Sequence, residues 1–137
     1  SPNVGEALRP LSKIASGGEL SRITLALKTI LASTDTVETV IFDEVDAGIS
    51  GATAQIVGEN LSAPAGDHQI LCITHLPQIA SQGHTHFLAT KAVSDDRTQA
   101  TIRALDTESR IQEIARLLGG RKITSRALAH AREMLHL

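Results

Sequence analysis

The chain has 137 residues, 42% of them hydrophobic, and a formal net charge of −2. With two Phe and no Trp or Tyr, this composition predicts one soluble domain with an aliphatic core and no base-stacking platform for nucleic acid. The near-neutral net charge gives no overall case for nucleic-acid binding. A single Cys excludes an internal disulfide, and no apolar run is long enough to span a bilayer. We therefore expect a cytoplasmic protein without a membrane partner.

The first half of the chain predicts alternating helices and strands. Residues 1–15 are punctuated by Pro and Gly and begin with Ser rather than Met, which suggests an excised fragment. Apolar residues at helical spacing predict a helix over 17–33, and a continuous apolar run predicts a strand over 38–43 that is parallel and covered on both faces. A helix over 51–62, ending before Pro64, and a strand over 68–74 follow.

The second half begins with a short helix over 76–82, and its pattern then changes. Residues 84–93 and 98–105 predict an antiparallel hairpin joined by the polar turn 94–97. Asp106 is expected to cap a helix over 107–118 that ends at Gly119-Gly120, and Thr124 is expected to cap the last helix. The order of elements predicts an α/β domain with at least two parallel strands, a hairpin and two C-terminal helices.

A glycine turn opens the first predicted helix, at Ser16-Gly17-Gly18-Glu19. Ser-x-x-Glu is a capping box, which explains the Ser and the Glu. The two glycines make sense if something must approach the bare backbone, and a helix N-terminus binds anions. We therefore favour phosphate contact over capping alone.

Two adjacent carboxylates, Asp43 and Glu44, end the first predicted strand. Ligands bind at the carboxyl ends of strands in open α/β sheets. One acid could hold Mg²⁺ and the other could orient and deprotonate an attacking water, whereas the simpler alternative is a pair of solvated acids.

Cys72 lies in an apolar run and is expected to be a buried, inert thiol. His84 and His86 are interpreted as surface histidines rather than metal ligands.

The residues Ala15 to Arg22 and Val40 to Glu44 resemble the signature and Walker B motifs of the ATP-binding-cassette superfamily, although no G-x-x-x-x-G-K-[ST] phosphate loop occurs in the chain. Membrane transporters of this superfamily usually carry Gln after the signature glycines and Pro after the Walker B glutamate. Here Glu19 and Val45 stand at those places. The chain is instead similar to the chromosome-maintenance branch, the SMC and RecN-like proteins, through its segments 11–22, 43–51, 73–80 and 113–120.

The resemblance implies an α/β fold in which residues 1–137 form the C-terminal lobe of a split ABC-type, P-loop-like ATPase head. The N-terminal Walker A lobe and the coiled coil would be absent. It also implies roles for individual residues. Glu44 would be the catalytic base, His75 would sense the γ-phosphate, and Asp43 would assist Mg²⁺ binding through water. The ATP of a partner head would contact the signature residues Ser16, Gly17, Gly18 and Glu19, and the D-loop at that interface would include Asp46, Ala47 and Gly48. Ser50 departs from the acidic residue that transporters carry.

The implied function is an ATP-binding and hydrolysing head of an SMC-like protein in DNA double-strand-break repair and recombination, associated with the nucleoid. The implied partners are the N-terminal lobe, a second head in an ATP-driven homodimer, and DNA. Without a Walker A lysine we expect this chain alone to be inactive. The alternatives are a transporter's nucleotide-binding subunit and a non-catalytic interaction module of the same fold. Direct DNA contact by Arg121, Lys122, Arg126 and Arg132 is a weaker hypothesis than a solvated basic face.

Overall fold

The computed structural model describes residues 5, 7, 10, 15–31, 36–94, 97–120 and 122–137. The predicted signature residues 11–14, the end of the first helix at 32–33, the turn residues Asp95 and Asp96, and Arg121 lie outside the described residues. The chain divides into two compact units, Ser1–Thr74 and His75–Leu137, which are described separately.

The first unit contains helix α1 (Gly17–Leu31), strand β1 (Thr39–Phe42), helix α2 (Gly51–Ser62), a 3-10 helix (Ala63–Gly66) and strand β2 (Gln69–Cys72). The predicted bounds of α2 are confirmed. The helix ends before Pro64 because this residue has no N–H to continue an α-helix, and Pro64 lies in the 3-10 turn. Strands β1 and β2 pair in parallel, as predicted, from Thr39 opposite Gln69 to Phe42 opposite Cys72.

The predicted burial of the first unit is wrong in part. Phe42 is buried at the end of β1, but Ile41 is 64% exposed, so β1 is not covered on both faces. On α1 the buried positions are Gly18 and Leu25, whereas Ile30 is 76% exposed. The apolar periodicity identified the helix correctly, but the face that it marks is left largely uncovered in this chain.

The second unit contains helix α3 (Pro77–Ala80), strands β3 (Phe87–Ser94) and β4 (Arg97–Ala104), and helices α4 (Thr107–Gly119) and α5 (Ser125–Met134). Pro77 is the first residue of α3. The predicted hairpin is confirmed, since β3 and β4 pair antiparallel from Phe87 opposite Ala104 to Ser94 opposite Arg97.

Both predicted caps of the second unit are present. The Asp106 carboxylate accepts the N–H of Ser109 at 2.8 Å, and the Thr124 hydroxyl accepts the N–H of Ala127 at 3.2 Å. Gly120 ends α4 with φ of 72°, a conformation that favours glycine. These local patterns fixed the helix ends correctly.

Helices α4 and α5 pack around a core that contains Ile111, Ile114, Ala115 and Ala131. The hairpin contributes little to it, since every residue of β4 is exposed. Among the described residues, no helix is both long and apolar enough to cross a membrane.

Candidate functional site

The capping box predicted at the start of α1 is present. The Glu19 carboxylate accepts the Ser16 N–H at 2.7 Å and the Ser16 hydroxyl at 3.0 Å, and the Ser16 hydroxyl accepts the Glu19 N–H at 3.4 Å. The hydrogen bonds from the Ser16 backbone and side chain lower the pKa of the exposed Glu19 carboxyl. Glu19 is thus held as an anion against the turn, with Arg22 adding a smaller attraction.

Helix α1 is attached to the segment that follows β1 by side chains one turn further on. The Ser21 hydroxyl donates to the Asp43 carbonyl at 2.8 Å. The Arg22 guanidinium donates to the Val45 carbonyl at 3.2 Å and to the Ala47 carbonyl at 2.9 Å. These hydrogen bonds connect the signature turn to the carboxylate segment. Those from the charged guanidinium are of the stronger, charge-assisted kind.

The two glycines of the turn face the same segment. A Cβ at Gly17 would lie 2.6 Å from Oε2 of Glu44, and one at Gly18 would lie 2.8 Å from both the Ala47 Cβ and the Glu44 carbonyl oxygen. Intramolecular packing is therefore a sufficient reason for glycine here. The glycines alone do not require a phosphate, and phosphate contact stays a prediction that depends on the other motifs.

The two carboxylates occupy the turn directly after β1. Glu44 has φ of 56°, in the left-handed region, and its N–H donates to Oδ1 of Asp43 at 2.9 Å. Both side chains are exposed. Their environments differ, since Asp43 bonds its own turn and the Glu44 carboxylate lies against Gly17. Because β1 ends at Phe42, both carboxylates lie in a turn and not in a continuing strand, and their separate tasks stay a prediction.

The carboxylates of this site could supply only a few of the ligands of a Mg²⁺ ion. In the part of the chain that the structure describes, no group of three His, Cys, Asp or Glu could hold a metal ion. Mg²⁺ usually keeps several waters and takes one or two carboxylates together with nucleotide phosphates. A single exposed carboxylate such as Asp43 fits that pattern and does not fit an all-protein metal site.

The predicted D-loop residues lie in different environments. Asp46 is 5% exposed, and its Oδ2 accepts the Thr74 hydroxyl at 2.6 Å, which joins the segments after β1 and β2. Ala47 and Gly48 are exposed, and the Ala47 N–H donates to the Glu44 carbonyl at 3.0 Å. Sequence reasoning assigned no positioning role to Ser21, Arg22 or Thr74, because their partners are distant in sequence.

The remaining predicted residues are Cys72 and His75. Cys72 is half-buried rather than buried as predicted. Burial, followed by the charges of Asp46 and Asp43, raises the pKa of its thiol to about 12, as expected for an inert thiol. His75 is the first residue of the second unit and is exposed. Its role as a γ-phosphate sensor stays a prediction.

The fold defines the class. The chain resembles a solved structure from work on "Structural biochemistry of ATP-driven dimerization and DNA stimulated activation of SMC ATPases", with a TM-score of 0.53 at 16% identity, over 86% of this chain and 70% of that chain. The chain thus shares the mixed α/β fold of that SMC ATPase structure. No protein-family model matches the chain.

Several curated proteins are similar to the chain in sequence. The DNA repair protein RecN of Xylella fastidiosa is 53% identical over 97% of this chain, and those of Haemophilus influenzae and Deinococcus radiodurans are 50% and 52% identical over 98%. The chain spans about a quarter of their length, 24% for the first two and 23% for the third. It is a RecN-like sequence that corresponds to the C-terminal part of those proteins.

Proposed function

We propose that the chain is the C-terminal lobe of an ATP-hydrolysing head in an SMC-like DNA repair protein, which works in the cytoplasm at the nucleoid. The observation that carries this proposal is the attachment of the signature turn to the Asp43–Glu44 segment through Ser21, Arg22 and the two glycines. A surface turn that merely ended a strand would need no such set of long-range contacts. The names of the similar proteins support DNA repair as the setting.

In this proposal Glu44 would accept a proton from the attacking water, and Asp43 would hold Mg²⁺ through water. ATP and Mg²⁺, when bound, supply the phosphoryl group and neutralise its charge. The backbone N–H groups and the Ser16 hydroxyl at the start of α1 would bind the nucleotide of a second head. The Arg22 guanidinium of α1 donates to the carbonyl of the D-loop residue Ala47. A ligand that moved the signature turn would therefore also move Ala47, whose N–H donates to the Glu44 carbonyl.

The proposed partner within the same protein is the N-terminal Walker A lobe. The uncovered side chains of the first unit include Leu27, Ile30 and Ile41, all more than half exposed. Contiguous exposed apolar surface marks interaction sites in soluble proteins. A lobe that supplies the missing phosphate loop would also cover these residues. The second head and DNA are proposed partners of the whole protein.

The test is ATP hydrolysis by this chain alone and mixed with a separately purified N-terminal lobe. We expect no turnover by the chain alone and turnover in the mixture. Glu44→Gln should lower the rate by about 100-fold to 10,000-fold, since it removes the general base but keeps the shape. Glu59→Gln, on the exposed surface of α2, is the matched control and should leave the rate unchanged.

Two results would contradict the proposal. Turnover by this chain alone that is insensitive to Glu44→Gln would show that the site is misassigned. A mixture that forms the complex, binds ATP and DNA, and still hydrolyses nothing would favour a non-catalytic interaction module of the same fold.

A further inference from the structure

His75 lies in a segment that belongs to no helix or strand. Strand β2 and helix α3 leave residues 73–76 between them. The Ile73 N–H still donates to the Phe42 carbonyl at 3.0 Å, which extends the pairing of the two parallel strands by one residue. Beyond Ile73 the strand ladder no longer positions the chain, so other contacts must do so.

The next residue, Thr74, makes such a contact through its side chain. Its hydroxyl donates to Oδ2 of Asp46 at 2.6 Å. A length of about 2.5–2.7 Å is typical of a hydroxyl that donates to an ionised carboxylate, which is the stronger, charge-assisted kind of hydrogen bond. Asp46 is only 5% exposed, so water competes little for its carboxylate. The bond between Thr74 and Asp46 is therefore a strong link directly before His75.

Asp46 is a fixed anchor, because the main chain on both sides of it is held. Val45 is fully buried, and its carbonyl accepts a hydrogen bond from the Arg22 guanidinium at 3.2 Å. The Ala47 carbonyl accepts a hydrogen bond from the same guanidinium at 2.9 Å. Asp46 is thus the fixed partner of the pair, and Thr74 is the residue that the bond positions.

A purely structural role is the alternative to a role in the site. Buried carboxylates need hydrogen-bond donors, so the Thr74 hydroxyl could serve only to satisfy Asp46. That role predicts a loss of stability without a specific change at His75. The place of the hydroxyl, one residue before His75 and just beyond β2, favours a positioning role, because fixing the side chain of one residue restricts the main chain of the next.

We propose that Thr74 is a positioning residue, whose hydrogen bond to Asp46 fixes the chain beyond β2 and thereby the direction of the His75 ring. This inference rests on the proposed function, in which His75 senses the γ-phosphate. Thr74 has no contact with the nucleotide in this proposal. Loss of its hydroxyl should therefore slow hydrolysis and leave ATP affinity nearly unchanged.

The first test is steady-state ATP hydrolysis by this chain mixed with the N-terminal lobe. Thr74→Val, which has the same shape but no hydroxyl, should lower kcat by about tenfold, a loss in the range that small displacements of catalytic groups produce. The KM for ATP should change by less than about twofold. Thr74→Ser keeps the hydroxyl and should restore most of the activity. Thr90→Val is the matched control and should leave kcat unchanged, since the Thr90 hydroxyl pairs with that of Thr101 at 2.8 Å on the exposed hairpin.

A second pair of variants separates the hydroxyl from the fold. Thr74→Val brings a methyl group against the Asp46 carboxylate and could unfold the first unit, so circular dichroism checks its fold. Thr74→Ala avoids that contact, and it differs from Thr74→Ser by the hydroxyl alone. Equal kcat values for folded Thr74→Ala and Thr74→Ser would overturn the proposal.

A double substitution shows whether Thr74 acts through His75. In a His75→Ala background, Thr74→Ala should cause no further loss of kcat, because the group that it positions is gone. Losses that multiply would show a purely structural role and overturn the proposal. An unchanged kcat in His75→Ala alone would also overturn it, since Thr74 would then have nothing to position.

The NMR resonances of the His75 ring in this chain give a readout that needs no turnover. They should shift in Thr74→Ala and stay close to their original positions in Thr74→Ser, with the exposed His130 ring as the internal reference. If the mixture of unsubstituted proteins hydrolyses no ATP, the proposed function fails, and these spectra still decide the positioning role. Identical His75 resonances in Thr74→Ala and Thr74→Ser would overturn that role.

Discussion

The two units of the chain leave different elements with exposed apolar side chains. In the second unit, helices α4 and α5 enclose Ile114, which is fully buried. In the first unit, which carries the proposed nucleotide-binding motifs, α1 and β1 leave Ile30 and Ile41 largely exposed. In the second unit the most exposed large apolar side chains lie on the hairpin, where Val93 is 76% and Ile102 is 72% exposed. The two units therefore differ in which elements are left uncovered.

Both units combine long-range side-chain contacts with local helix caps, since the second unit has the Arg110–Ser81 contact and the first has the Ser16–Glu19 box. The first unit joins distant segments through side chains, as in the contacts of Arg22 with Ala47 and of Thr74 with Asp46. The second unit secures its helices locally, with Asp106 and Thr124 as caps. Long-range contacts position a site, whereas caps stabilise single helices.

The sharpest test of this comparison is a pair of Ile→Ala substitutions. Ile114→Ala should destabilise the second unit by about 2–5 kcal/mol, because it leaves a cavity in a closed core. Ile41→Ala, at an exposed position of β1, should change stability by less than about 0.5 kcal/mol. Urea unfolding followed by circular dichroism measures both. An equal loss for the two variants would show that the first unit has a core of its own around Ile41.

The second test separates the two glycines of the signature turn. Gly18→Ala should destabilise the first unit by about 1–3 kcal/mol, since the new methyl group meets the Glu44 carbonyl and the Ala47 side chain. At Gly17 the obstacle is the end of the Glu44 side chain, which can rotate away. Gly17→Ala should therefore cost less than Gly18→Ala, while alanine's higher helix propensity offsets up to about 1 kcal/mol in both variants. The same unfolding measurement applies, and a larger loss at Gly17 would contradict the packing explanation.

The third test compares helix caps. Thr124→Ala should destabilise the second unit by about 1 kcal/mol, since the Thr124 hydroxyl caps α5. Ser50 is at the same position of α2 but makes no side-chain cap hydrogen bond, so Ser50→Ala should have little effect. Thermal unfolding of both variants measures the difference. Equal shifts in Tm would show that the Thr124 contact contributes nothing.

The local features were predictable from the sequence. Pro64 ended α2, Asp106 and Thr124 capped their helices, and the apolar runs identified the parallel pair, because each depends on neighbours in the chain. The sequence did not predict which apolar faces of these elements are buried. Periodicity shows that Ile30 is on an apolar face but not which partner covers that face.

The candidate site was predictable in part for the same reason. Asp43, Glu44 and the glycine turn were identified from local motifs, but the approach of Gly18 to Ala47 is a contact across 29 positions of the chain. His86 was expected on the surface, and its Nδ1 is buried beside Arg110. No local pattern could have indicated that placement.

The smallest expected effect is the loss of the two carboxylate caps in acid. Hydrogen bonds from backbone N–H groups lower the pKa of Asp106, in the second unit, and of Glu19, in the first. Because the folded-state pKa is depressed in both, the stabilisation is complete above the unfolded pKa and is lost as pH falls through the folded value.

Amide NMR of Ser16 and Ser109 follows each cap separately as pH falls below about 4. In Asp106→Asn the cap still accepts the Ser109 N–H but has no ionisable group, so the Ser109 resonance should no longer move in acid. If Ser109 moves equally in both proteins, the titration there comes from another group and not from the cap. If the Ser16 resonance stays fixed while Ser109 moves, the box at α1 does not depend on its carboxylate charge, and the contacts of Ser21 and Arg22 are what hold the start of that helix.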